Sequence, residues 1–344
     1  KENIQFTKII YIMIFNERFI NEKLFLNKDG FTIKKISDDE YFGEKYKHFI
    51  SNSKLRYISP SQNGSPFEYK YGNQNESASF LDVGTIMHRY ILEDKVSKIV
   101  VGDMPTTDKM INILKEAASI QINTNAKFND IIDEVAEKHK YKNKKVFDKN
   151  VLKFRKYYKF LLDNDPEAFF INEKSNNVLE KCSHSMISIK EYLNSQVGEH
   201  HYEEAVFGSF TYKNDYKGNT TPTILNVKAK IDNFIVDHES KTIILNDLKT
   251  TISPIDEFME TSFKKFRYDR QFAFYLYLLN NAINPKDEYR LLANVITISK
   301  LDGKFQIFKI KQSSIEDGYH EFQDCLKRIG FHETYGYNIL RESL

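Results

Sequence analysis

The sequence predicts a mixed fold, of the α/β or α+β plan, and three observations predict it. Helical spacing dominates residues 105–198, where Met110, Ile113, Leu114 and Ala117 fall on one stripe. From residue 203 the pattern changes to β-branched and aromatic runs separated by turn residues, at 203–213, 223–237 and 241–249. A helix then follows over 267–280, two strands over 289–299 and 304–311, and a closing helix over 315–329. Helices, a three-strand meander, a helix, two strands and a helix make one packed α-and-β architecture.

The earlier segments fill in the order. Residues 14–50 alternate short apolar runs with charge and read as a hairpin or strand followed by a helix. Residues 51–75 read as loop, on the turn signals Ser51-Asn52-Ser53, Ser59-Pro60-Ser61 and Asn63-Gly64-Ser65-Pro66. A helix is expected over 79–94, and the helices of 105–198 break near Asn123, Asn143 and Asn164-Asp165-Pro166. Residues 1–50 are taken as an N-terminal segment, in which Met13 is a candidate natural start that sets 1–12 aside. Residues 51–344 are taken as one domain, with 100–200 a lysine-rich helical insertion.

Composition narrows the chemistry. The chain has 344 residues, 41% hydrophobic and 28% charged, and 14% aromatic content is too much apolar bulk to leave solvated. Lys and Arg number 50 against 48 Asp and Glu, a net charge of +2, so any nucleic-acid role must come from local charge. Two cysteines far apart, Cys182 and Cys325, exclude a disulfide framework and a four-cysteine cluster, and fit a reducing, cytoplasmic setting. No apolar run approaches the roughly 18–20 residues that cross a bilayer.

The most informative stretch is Lys228 to Lys249. If its hairpin turns at Glu239-Ser240, Asp237 faces Thr242 and Asp232 faces Asp247. Opposed residues have Cβ atoms about 4.5–5.5 Å apart. Two carboxylates that close repel, unless a hard divalent cation takes their oxygens. Lys249 lies two residues beyond Asp247 and shares its face. A lysine beside a metal positions and deprotonates a water; an ordinary solvated Asp-x-Lys on a surface hairpin fits the same residues.

Three further signals stand along the chain. Gly84 and His88 share a helix face at i and i+4; the glycine lets a backbone approach and the histidine offers a ring nitrogen to a metal. Tyr268, Gln271 and Tyr275 line a face of the helix over 267–280, a donor–acceptor amide between two stacking hydroxyls. Lys138–Lys159 carries nine Lys and one Arg against the single acid Asp148, interleaved with Tyr141, Phe147, Phe154, Tyr157 and Tyr158. Basic charge with aromatics suits phosphate contact plus base stacking. A solvated lysine-rich helix face fits equally.

In order, these motifs resemble the PD-(D/E)XK nuclease superfamily, in its RecB-like branch. The pattern of Gly-x-x-x-His, Asp, acid-x-Lys and Gln-x-x-x-Tyr is met by Gly84/His88, Asp232, Asp247/Lys249 and Gln271/Tyr275. The two acids are 15 residues apart, as in that pattern. Within the branch the chain is most similar to phage RecE-type exonucleases, through Ile50–Leu55, Ser65–Tyr69, Gly84–Glu93 and Tyr268-Asp269-Arg270-Gln271. Ala229 stands where the family often has Gly, and the second acid is Asp247 rather than Glu.

The resemblance implies a restriction-endonuclease-like core, a central mixed sheet flanked by helices. It implies a metal-dependent exonuclease acting on the ends of linear duplex DNA in phage recombination, in the bacterial host cytoplasm. Asp232, Asp247, His88 and the Leu248 carbonyl would hold Mg²⁺ or Mn²⁺, and Lys249 would orient the attacking water. Gln271 and Tyr275 would position the strand. Glu204 would support the site, with Glu203 in competition for that place. Ser53 would seat a terminal phosphate as the N-cap of a short helix. A single-strand annealing protein as partner and a ring-shaped homo-oligomer follow by analogy. An endonuclease on the same site, or a silent DNA-binding recombination accessory, are the alternatives.

Overall fold

The β-branched runs form the strands of one six-stranded sheet, and the 3.6-period segments form the helices that cover it or build a separate helical unit. The computed structural model describes residues 25–72, 82–93, 95–216, 218–283 and 288–337. Met13 and the expected helix start at Ser79 lie outside them. In chain order the elements are β1 (Phe25–Lys34), α1 (Asp38–Phe42), α2 (Asn52–Leu55), α3 (Pro66–Tyr71), α4 (Asp82–Leu92), β2 (Lys98–Val101), α5 (Asp108–Thr124), α6 (Phe128–Lys138), α7 (Lys144–Lys153), α8 (Arg155–Asp163), β3 (Ala168–Ile171), α9 (Glu173–Asn194), β4 (Glu199–Tyr216), β5 (Asn219–Asp237), β6 (Thr242–Thr251), α10 (Tyr268–Ile283), β7 (Arg290–Ser299), β8 (Phe305–Lys309) and α11 (Gln312–Tyr335).

The described residues divide into two compact units, the first holding those of 1–76, 189–299 and 304–344, the second those of 77–188 and 300–303. In the first unit the strand order is β1-β4-β5-β6-β7-β8. Only the β6–β7 pair is parallel, with α10 as its crossover; the other neighbours are antiparallel. The fold is therefore mixed α/β, a six-stranded mixed sheet flanked by helices. Phe272, Leu276 and Leu279 of α10 and Phe322 and Leu326 of α11 share one core with Val227, Ala229 and Ile231 of β5, Leu245 of β6 and Val295 of β7. A smaller cluster, Tyr41, Tyr46, Ala205 and Phe207, packs the α1 segment onto β4, and Tyr46 stacks on Phe207 with ring centroids 4.3 Å apart.

β5 changes its core-facing set along its length. Leu225, Val227, Ala229 and Ile231 belong to the main core, and then Phe234 and Val236 do. The alternation slips between 231 and 234, and the β4–β5 ladder skips one pair there, at Asp232, without a shift of register. Opposite them, Tyr202 pairs with Asn233 and Glu204 with Ile231, while Glu203 between them has a left-handed backbone, φ 54°. A non-glycine residue held there costs about 1–2 kcal/mol.

The second unit packs Met110, Ile113 and Leu114 of α5 against Ile131, Ile132 and Val135 of α6 and Tyr157 and Tyr158 of α8. A two-stranded parallel ladder joins β2 to β3, from Lys98↔Ala168 to Val101↔Ile171. β3 falls where the sequence predicts only helix; its four-residue apolar run, Ala-Phe-Phe-Ile, is too short for periodicity to separate strand from helix. Phe147, Phe154, Tyr157 and Tyr158 are buried in this core. They are not the base-stacking surface that their interleaving with lysine suggests.

Helices α10 and α11 approach closely at Gly318, where an added Cβ would lie 2.2 Å from the backbone oxygen of Asp269. No rotamer relieves a backbone clash of that size. Gly318→Ala should lower stability by about 1–3 kcal/mol, the usual cost of overpacking. Urea unfolding checks this, and an unchanged midpoint would show that the helices separate freely.

Candidate active site

β5 and β6 run in the expected register. Asp237 pairs with Thr242, and the ladder continues to Asn233↔Asn246. It stops there, one position before Asp232 and Asp247. Beyond it β6 stays paired with β7 as far as Thr251↔Ser299. The Asp232 carboxylate takes over the place of the next ladder bond: its Oδ2 accepts from the Leu248 amide at 2.7 Å. The two strands thus fork at the acids, and an Asp side chain closes the fork.

A buried amide ladder fixes that fork. Asn246 Nδ2 donates to Asn233 Oδ1 at 2.8 Å, Asn294 Nδ2 donates to Asn246 Oδ1 at 2.9 Å, and Asn233 Nδ2 donates to the His201 carbonyl at 3.0 Å. All three asparagines are buried. They tie β5, β6 and β7 at the position next to the acids, and a slip of one residue would break every bond in the chain.

Asp247 is only 1% exposed, and both of its oxygens are engaged. Lys249 Nζ lies 2.5 Å from Oδ2, and Gln271 Nε2 donates to Oδ1 at 2.9 Å. Lys249 also stands 5.2 Å from the centre of the Tyr268 ring. Burial acts to lower the Lys249 pKa, but the charges of Asp247 and Asp232 outweigh it and hold the ammonium above the usual lysine range. The two carboxylates favour the cationic form of Lys249, which can orient a water and offset negative charge. Burial first, and then Asp247, raise the Tyr275 hydroxyl well above its ordinary pKa. Tyr275 stays neutral, hydrogen-bonded to Gln271.

The second carboxylate beside Asp232 is Glu203. Oxygens of the two lie within 4.8 Å of each other. Glu203 Oε2 is 3.0 Å from Lys230 Nζ, and Lys230 also pairs with Asp38. Burial opposes the charge on Lys230, but Asp38 and Glu203 prevail and its pKa is raised. Glu204 turns to His201, 3.3 Å from Nδ1. The competition between the two glutamates resolves to Glu203. A register signal could have found it: the β4–β5 pairs Tyr202↔Asn233 and Glu204↔Ile231 put position 203 across from 232. Two strand residues further back, Lys228 is buried, donates to the Tyr41 carbonyl at 2.6 Å and lies 4.1 Å from the Tyr41 ring centre. Burial, then Lys54, push its pKa down to about 8.

The remaining sequence-predicted residues are placed as follows. Leu248, whose carbonyl the resemblance makes a ligand, is buried on β6. His88 is half-buried on α4, in the second unit. Ser53 is not an N-cap: Ser51 holds that position, without a side-chain cap bond, Ser53 is the second residue of the helix, and the two hydroxyls are 2.9 Å apart. At four residues α2 is too short to gather an anion by its dipole. The Gln271 amide nitrogen is directed at Asp247, so it orients a carboxylate before it meets any strand.

No protein-family model matches the chain, and no curated protein matches it. Among solved structures, a candidate exonuclease from Eubacterium rectale is similar over 90% of this chain and 96% of its own, at 9% identity and a TM-score of 0.41. That likeness is too distant to carry an argument. No helix among the described residues is long and apolar enough to cross a membrane.

Replacing Asn246 by Leu removes the middle of the amide ladder and strands Asn233 Oδ1 and Asn294 Nδ2 in the core. Each orphaned group costs about 1–3 kcal/mol. Asn246→Leu should therefore lose on the order of 2–4 kcal/mol in denaturant unfolding. A loss below about 0.5 kcal/mol, the scale of an ordinary surface change, would remove the ladder from the explanation of register.

Proposed function

We propose that the chain is a divalent-metal-dependent deoxyribonuclease that hydrolyses phosphodiester bonds from the ends of linear duplex DNA. Its site is of the PD-(D/E)XK kind in the RecB-like branch. The observation that carries this reading is the fork of β5 and β6. There the ordered motif residues Asp232, Asp247, Lys249, Gln271 and Tyr275 meet, with Glu203 added beside Asp232.

The donor set fits a hard cation: paired carboxylate oxygens with no thiolate among them. Asp232, Asp247, Glu203 and the Leu248 carbonyl would hold Mg²⁺ or Mn²⁺. His88 joins them by its place in the motif order. The bound ion would supply Lewis acidity to the scissile phosphate and offset charge on the leaving oxygen. Lys249, kept cationic by Asp247, orients the attacking water and stabilises the equatorial oxygens of the phosphorane. Gln271 holds the Asp247 carboxylate in one orientation, and Tyr275 holds Gln271. A role for Ser53 at the terminal phosphate, service in phage recombination beside an annealing protein, and a homo-oligomeric ring rest on the resemblance.

The test compares linear duplex DNA with a covalently closed circle, with and without Mg²⁺, beside Asp232→Ala and Asp247→Ala. Loss of the linear form alone, dependent on the metal and abolished in both variants by at least about 10³-fold, is expected for residues that act as one unit. Cutting of the circle would replace the exonuclease by an endonuclease. Full turnover in either variant would remove the site assignment altogether.

A further inference from the structure

We propose that the outward face of α7 and α8 is a docking surface for the phosphate backbone of duplex DNA, independent of base sequence. This rests on the nuclease reading for its partner, and on the second unit alone for its geometry.

The surface is built by an inside–outside division. Phe147, Phe154, Tyr157 and Tyr158 point into the core of the unit. Lys142, Lys144, Lys145, Lys149, Lys153, Arg155, Lys156 and Lys159 are exposed. On α7, Lys145, Lys149 and Lys153 recur at i, i+4 and i+8, and on α8, Arg155 and Lys159 do the same, so each helix shows a basic stripe opposite its buried aromatics.

Neighbouring acids neutralise only part of this charge. Glu116 engages Lys138 and His139, Asp133 of α6 engages Lys144 at 2.7 Å, and Asp103 reaches Lys153 at 3.8 Å. Lys156 donates to the Val101 carbonyl. Lys142, Lys145, Lys149, Arg155 and Lys159 have no ion-pair partner among the described residues. Asp148 is the sole acid between 138 and 159. In a chain whose total charge is +2, that is a concentrated positive field.

The same division selects the partner. A single-strand surface needs aromatic faces on which bases stack. Here the rings are inside and the ammonium heads outside. Lysine heads on flexible stems are point charges that suit phosphate and lack the fixed fork that arginine offers to base edges. Backbone contact with released counterions is the chemistry left to this face, and duplex DNA supplies the densest phosphate array for it.

The experiment measures equilibrium binding of the full chain to a duplex of mixed sequence and to a single strand of the same length. It is done in chelator, so that no cleavage intervenes, from 50 to 200 mM salt. The face variant is K142Q/K145Q/K149Q/K159Q; the control, K35Q/K115Q/K174Q/K213Q, removes equal charge from exposed lysines elsewhere. Circular dichroism and melting verify that both are folded. Four lost phosphate contacts should reduce the slope of log K against log salt by about 3–4 for duplex, and weaken binding at 100 mM by 10-fold or more. The control should keep the wild-type slope within about 1. Equal losses in both variants would reduce the surface to net charge, and no loss in the face variant would remove it. A loss confined to the single strand would overturn the duplex assignment. An unaltered slope with metal-dependent cleavage intact would sink this proposal and leave the nuclease standing; a slope loss in a chain that cuts nothing would do the reverse.

Discussion

β5 and β6 form a regular ladder from Asp237↔Thr242 to Asn233↔Asn246 and then part, and the site depends on where they part. The amide ladder of Asn233, Asn246 and Asn294 sets the stopping point. Buried amides bond well in few arrangements, so they specify register more sharply than the Ile and Leu pairs around them.

The charges follow from that geometry. A carboxylate as buried as Asp247 is tolerated only with partners, and Lys249 and Gln271 supply one for each oxygen. Asp232 has one oxygen committed to the Leu248 amide, and Glu203 is drawn to Lys230. The left-handed backbone of Glu203 belongs to the same arrangement: strain of this kind persists where surrounding contacts over-determine it, and it gathers at functional sites. Helix α10 carries Gln271 and Tyr275 and is set by its close contact with α11 at Gly318, so the main core and the site share one support.

Much of this was legible in the sequence. The hairpin through Glu239-Ser240 has the expected register, because alternation and a short turn, His238 to Lys241, leave little freedom. The helix of Gln271 and Tyr275 and the strands on either side of it stand within a few residues of their expected positions. The asparagine ladder was not legible, since polar residues inside a strand read as solvent-facing until a neighbouring strand supplies their partners. Glu203 and Glu204 were inseparable by alternation alone, because the irregularity at Asp232 is a tertiary feature. The aromatics of 138–159 misled for the opposite reason: an amphipathic helix interleaves lysine and tyrosine in sequence while sending them to opposite sides in space. The N-cap at Ser51 rather than Ser53 was a choice between two serines two residues apart, decided by backbone geometry.

The most direct measurement is calorimetric titration of Mg²⁺ and of Mn²⁺ into the wild-type chain, Asp232→Ala, Glu203→Gln and Glu204→Gln. Saturable binding in the wild type is expected, lost in Asp232→Ala, weakened about tenfold or more in Glu203→Gln, and unchanged in Glu204→Gln. Equal binding in all four proteins, or a loss in Glu204→Gln alone, would contradict a metal site at the fork of β5 and β6.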